Sequence, residues 1–379
     1  MKPLLLFSRG GDDADFLYAC RLPVEEALYL RFAPGDDLLV VSTLELEGAR
    51  KDGRASRVVD RQAAGWVEQQ DTLGAWIDLA RRLLAERGVK EVRVSPLLPA
   101  ATYVALREAG VEPEIERGLF LDERRRKRAE EADCIHAAQQ AAEAACVEVI
   151  AQLAEAEAQG DGLLWLEGSP LTSERLMARA QAALNEIGYA ATEMIVAGSP
   201  GCALPHFRGA GPILAGMPVI IDIFPRGMSS HYHGDLTRTV VAGQPSDLVR
   251  RMHDACVEAL DAAIPMLTDG VDGRDVHHAV CRLLVERGFG TSTVGFEGGE
   301  GGPRMIHTTG HGVGLEVHEA PYLKNVDYPL RTGDVVTVEP GLYQVGLGGV
   351  RVEDTGIVTP NGFRNFTTLP RSLDPADYL

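Results

Sequence analysis

At 379 residues, 45% hydrophobic and 24% charged, the chain has a globular composition and more apolar material than one core uses, so two domains are expected. A formal charge of -18 works against nucleic acid and anionic membrane partners, because both would repel it. The apolar start, residues 1–7, is too short for a secretory core, no run reaches the length of a membrane span, and six scattered cysteines without CxxC spacing fit buried thiols in a reducing cytoplasm.

In chain order, residues 38–42 read as a strand, residues 76–86 as a helix stopped at Gly88, and residues 89–94 as a further strand. That alternation is expected of an α/β domain covering residues 1–125, and no titratable cluster with catalytic spacing occurs in it. The run Arg124-Arg125-Arg126-Lys127-Arg128, within residues 122–131, marks the change of domain and is expected to be a solvated linker that opens a helix. Ile135, Ala138, Ala142, Ala145, Val149 and Leu153 recur at spacings of three and four, which predicts a helix packed on one face and ended by Gly160-Asp161-Gly162. Thr172 is an N-cap for the next helix, which turns Leu176, Ala180 and Leu184 inward and stops at Gly188. Two more helices are expected over residues 246–263 and 274–286. The order helix, Gly-aromatic stop (Gly188-Tyr189, then Gly288-Phe289), His-bearing segment and two acid-bearing strands occurs twice, as a duplicated α/β half would. The glycine-rich residues 288–304 lack the strand-then-helix setting of a phosphate cradle and read as a loop.

The chemistry lies in the second half of the chain. Asp222 interrupts an apolar strand, residues 219–223, and Asp235 opens another, residues 234–241. A carboxylate in an apolar strand needs a counter-charge or a metal, since desolvation is otherwise costly. Residues 305–321, MIHTTGHGVGLEVHEAP, carry His307, His311 and His318; Gly310, Gly312 and Gly314 argue against a helix, and glycines beside His311 are expected to let backbone approach a ligand. Glu339 ends a strand at Glu339-Pro340-Gly341. Arg351 and Glu353 alternate with valines and so share one face, where a surface salt bridge is the other reading. Four acids and one imidazole favour ions such as Mn²⁺, Co²⁺ or Fe²⁺ over a structural zinc, and two such ions sharing a water would make a hydrolase.

The segments VIIDI, GDLTRT, TGHGVGLEVHE, TVEPGLY and VRVED resemble, in family order, those of the pita-bread metallopeptidases, which include methionine aminopeptidase, aminopeptidase P and prolidase. The resemblance implies an α+β pita-bread catalytic domain with pseudo-twofold duplicated halves over residues 126–379, preceded by a creatinase-type α/β domain over residues 1–125. It implies that Asp222 binds one metal, His311 and Glu339 the other, and that Asp235 and Glu353 bridge. Glu339 would relay protons, His206 would lie on the substrate side, His318 would steady the tetrahedral intermediate, and His307 and Arg351 would support the site. It further implies two divalent ions, Mn²⁺ foremost with Co²⁺, Fe²⁺ and Zn²⁺ as alternatives, a cytoplasmic homodimer, and peptide substrates with proline in second position. A metal-independent creatinase-like hydrolase, a non-catalytic binding protein and a methionine aminopeptidase are the rival readings. Three departures stand out. Pro225-Arg226-Gly227 lengthens the interval between Asp222 and Asp235, so an enlarged hairpin tip is expected. Tyr322 stands where some prolidases carry an arginine for a dipeptide's carboxylate, so strict dipeptide specificity is not expected. The first domain looks short at its start, as though an early strand were missing.

Overall fold

The computed structural model describes residues 2–8, 10–11 and 13–379, and the chain divides into two compact units, Met1–Arg124 and Arg125–Leu379. The first unit is built on a six-stranded sheet with the spatial order Arg57–Asp60, Asp36–Val41, Ala27–Ala33, Leu4–Phe7, Glu91–Val94, Glu112–Ile115. The early strand thought missing is therefore present. Leu4–Phe7 pairs antiparallel with Ala27–Ala33 and parallel with Glu91–Val94. Its side chains alternate between two cores, Leu5 joining Trp76 and Leu79 while Leu4 and Leu6 join Phe16 on the other face. A four-residue apolar run fits a buried strand and a piece of buried helix equally, so periodicity alone does not assign it. The helix around Trp76 spans Thr72–Ala85, and Gly88, at φ +67°, makes the left-handed turn that leads into the next strand.

The second unit repeats one order of elements. Helices Ala129–Glu155 and Ser173–Glu186 pack on a sheet ordered Ile195–Gly198, Val219–Ile223, Leu236–Val240, around a core that includes Val149, Leu176, Ile221 and Leu236. Helices Asp247–Ala263 and Gly273–Glu286 then pack, through Cys256, Val280, Val338 and Val350, on a four-stranded and a five-stranded sheet. The side chains of Thr172 and Ser246 accept from the backbone N–H groups of Arg175 and Val249, so both N-termini are capped. The first of these helices stops at Glu155, before the glycines expected to end it, because Glu157–Ala158 leaves to pair with Leu164–Leu166. Among the described residues no helix is long and apolar enough to cross a membrane.

The basic run opens a helix as expected, with Arg128 at the N-cap of Ala129–Glu155, but it is solvated only in part: Arg126 and Arg128 are exposed, whereas the Arg125 and Lys127 side chains are buried. Arg125 is 5% exposed and grips Asp334 with two bonds, Nε to Oδ1 at 3.0 Å and a terminal nitrogen to Oδ2 at 2.7 Å; Lys127 is buried against Glu319 at 2.6 Å. A charge run alone does not disclose partners two hundred residues away in sequence. Removing one member of a buried pair strands the other charge, so R125M should destabilise this unit by about 3–5 kcal/mol in urea unfolding, and R125M/D334L should recover much of the loss. A single substitution costing under 1 kcal/mol would show the pair to be dispensable.

Candidate metal centre

Asp222 lies in the wholly buried strand Val219–Ile223, opposite Thr237. Side chains alternate along a strand, so Asp235, two residues before Thr237, comes up on the same face as Asp222. Asp235 precedes the observed strand Leu236–Val240 rather than opening it, and its N–H donates to Gln139 Oε1 at 2.8 Å, which fixes where the strand begins. The inserted Arg226–Gly227 pairs antiparallel with Tyr189–Ala190 in a separate two-stranded sheet, so the lengthened hairpin tip is held by the segment that follows the helix Ser173–Glu186.

The other half supplies the remaining groups. Glu339 follows the strand Val335–Val338 and is anchored by its N–H to Thr309 O at 2.8 Å. Glu353 sits in the break between Gly348–Arg351 and Asp354–Thr359; its N–H donates to Thr237 O, and Thr237 Oγ1 donates to its Oε2 at 2.7 Å. His311 occupies the short strand Gly310–Gly312. The flanking glycines serve strand packing rather than ligand approach, because a Cβ at Gly310 would lie 2.1 Å from Thr337 O and one at Gly312 would lie 2.4 Å from Ala320 O. His311 Nδ1 is 3.1 Å from Gly312 O. This leaves Nε2 facing Asp235 Oδ2 at 3.6 Å and Glu339 Oε1 at 3.7 Å.

Arg351 and Glu353 are both buried, yet they do not pair with each other at the surface or elsewhere. The guanidinium donates to Asp222 Oδ2 at 2.5 Å, to Tyr343 Oη at 2.7 Å and to Thr237 Oγ1 at 3.2 Å. Since Tyr343 Oη accepts from Arg351, its own proton goes to His307 Nε2 at 2.9 Å, and His307 Nδ1–H donates to Thr308 O at 2.7 Å.

Asp222, Asp235, His311, Glu339 and Glu353 line one cavity of about 760 Å³ together with His206, His307, His318 and Arg351. The structure thus brings every sequence-predicted site residue to the same place. His206 and His318 are on its exposed side, with the His318 ring edge-on to His311 at a centroid distance of 4.2 Å. Such crowding of carboxylates is costly without cations. Burial, then the charges of Glu353, Asp222 and Glu339, hold the Asp235 carboxyl well above the usual range; burial with Glu339 and Asp222 does the same to Glu353, and burial lifts Glu339 to about 8. Burial and the neighbouring His318 push His311 down to about 3, which keeps its imidazole neutral and suited to ligation.

The donor set fits divalent metal. Asp222 Oδ1 is buried with no hydrogen-bond partner among the described residues, and Asp235, His311 and Glu353 each offer a ligand atom within 4.8 Å of the others. Sequence reasoning missed the supports: Tyr343, Thr237, Gln139, and Arg238, which is 1% exposed and donates to Glu353 O at 2.6 Å and Asp354 Oδ1 at 3.0 Å. Three of these stand inside the matched segments, Thr237 and Arg238 in GDLTRT and Tyr343 in TVEPGLY, and an arginine within a strand was itself a signal.

The model of metallopeptidase family M24 matches residues 133–360, more than half of the chain. In sequence the chain is 35% identical over 185 residues to an Xaa-Pro dipeptidase of Pyrococcus furiosus, covering 48% of this chain and 49% of that protein. It is 34% identical over 241 residues to Xaa-Pro aminopeptidase 1 of Streptomyces coelicolor, covering 56% and 48%. The chain spans about half the length of the curated relatives it matches. In structure it is similar to an Xaa-Pro dipeptidase from Bacillus anthracis, with TM-score 0.81, 25% identity and coverage of 98% of this chain and 94% of the other, and it shares the pita-bread fold. With its duplicated halves and matched segments, this chain belongs to metallopeptidase family M24.

Proposed function

We propose that the chain is a dinuclear-metal peptidase that hydrolyses the bond between an N-terminal residue and proline. One observation carries the reading: four carboxylates and a neutral imidazole from two duplicated halves converge at the floor of a cavity large enough for a short peptide. The similar Xaa-Pro peptidases support the substrate class.

Asp222 would hold one ion, His311 and Glu339 the other, with Asp235 and Glu353 shared between them; Mn²⁺ is the ion we assign, ahead of Co²⁺, Fe²⁺ and Zn²⁺. When bound, such a pair supplies Lewis acidity and an activated water. The remaining work falls to side chains. Glu339 accepts a proton at its carboxylate and returns it to the departing proline nitrogen, a task open to a carboxylate that lines the cavity beside His311. His318, beside His311 on the open side, donates to the oxygen on which charge develops, and His206 lines the substrate's path. Arg351 orients Asp222, while Tyr343 ties that arginine to His307.

We assign residues 1–125 as a creatinase-type domain and residues 126–379 as the catalytic domain. A cytoplasmic homodimer is the assembly we expect; six free cysteines accord with a reducing compartment. Ala-Pro, Ala-Pro-Ala-Ala and Met-Ala peptides assayed with Mn²⁺ test the reading. Turnover confined to the proline peptides is expected; turnover of Met-Ala alone would make the chain a methionine aminopeptidase, and none at all would favour the non-peptidase rivals.

A further inference from the structure

Among the described residues the cavity is lined by three side chains of fixed positive charge besides its histidines: Arg208, Arg351 and Lys324. Two are consumed. Arg351 is bound to Asp222 and Tyr343, and Arg208 pairs with Glu193. Lys324 forms no ion pair with any described residue; its ammonium rests over the Tyr322 ring, 4.4 Å from the centroid. Such a contact holds a cation in place without neutralising it.

Its position is defined by the sheet. Tyr322 lies in the strand Glu319–Leu323 directly opposite His311, so the two project from one face, and Lys324 follows Tyr322 at the next same-face position. Opposite side chains in a sheet start about 5 Å apart, so the ammonium over Tyr322 is on the order of 10 Å from His311, the span of two to three extended residues. A peptide attacked beside His311 therefore brings its end, two to three residues past the cut, to Lys324.

We infer that Lys324, seated on Tyr322, binds the free α-carboxylate of a short peptide substrate and selects tri- and tetrapeptide acids. The inference rests on the proposed peptidase reading and sharpens it. The missing arginine at position 322 then does not remove carboxylate recognition: it moves the charge two residues along the same face. Tyr322 serves as its seat.

The test compares wild type, K324M and K324R, all loaded with Mn²⁺, on Ala-Pro-Ala and Ala-Pro-Ala-Ala and on the same peptides with C-terminal amides. A charge-assisted hydrogen bond implies that wild type favours the acids by about ten-fold or more in KM. K324M should lose that preference by a raised KM for the acids alone, with kcat little changed, and K324R should retain it. Wild type without acid preference, or K324M with the preference intact, overturns the assignment. Calorimetric binding of the acids and amides reads recognition apart from turnover. Acid-selective binding that K324M abolishes, without hydrolysis, would sink the peptidase reading and leave the role of Lys324 standing.

Discussion

Dialysis of the protein against a chelator should abolish hydrolysis of Ala-Pro, and Mn²⁺ or Co²⁺ should restore it. The same treatment should lower thermal stability, by more at pH 8 than at pH 5.5. The sign follows from the carboxylates. Asp235, Glu353 and Glu339 hold protons more tightly folded than unfolded, with Glu339 displaced to about 8. Between the ordinary carboxylate range near pH 4 and that folded value, these groups bind more protons in the native chain than in the unfolded one, so their contribution to stability without metal falls as pH rises. Dications remove the repulsion and need the deprotonated ligands, so the melting-temperature gain on adding Mn²⁺ grows over the same interval. Activity that survives chelation, with no pH-dependent gain in melting temperature, would refute the metal centre.

E339Q should reduce turnover of Ala-Pro by about 10²- to 10⁴-fold with the fold intact, because the amide keeps the size of the side chain and cannot take up and return a proton. Glutamine also removes one of the repelling charges from the cavity, so metal-free E339Q should melt at or above the temperature of metal-free wild type at pH 8. Low activity together with a lowered melting temperature would mean structural damage instead. A variant that retained most of its turnover would remove Glu339 from proton transfer, leaving it at most a ligand.

The positions that were legible share one property. Asp222 in VIIDI and Glu353 in VRVED are charges set among buried aliphatic residues, where nothing but a partner makes burial tolerable; a sequence displays that conflict without displaying the partner. Helix starts at Thr172 and Ser246 were equally plain, because a cap is a local hydrogen bond between residues three apart. Less was legible where the deciding contact is remote. Leu4–Phe7 is a central strand only because Ala27–Ala33 and Glu91–Val94 flank it, and Lys127 reads as one charge in a basic run until Glu319 is placed beside it.

The sequence by itself determined the chemistry available to this protein: which acids and imidazoles sit in segments that must be buried, and the family order in which they occur. The tertiary structure decided what each is bonded to. It set Arg351 on Asp222 rather than Glu353, hung Tyr343 between Arg351 and His307, and seated Lys324 on Tyr322 without an ion pair among the described residues. The reason is range: burial cost is a property of a residue and its near neighbours, whereas these hydrogen bonds are settled only when separate chain segments meet, as when Arg351 is brought to Asp222, 129 residues away in sequence.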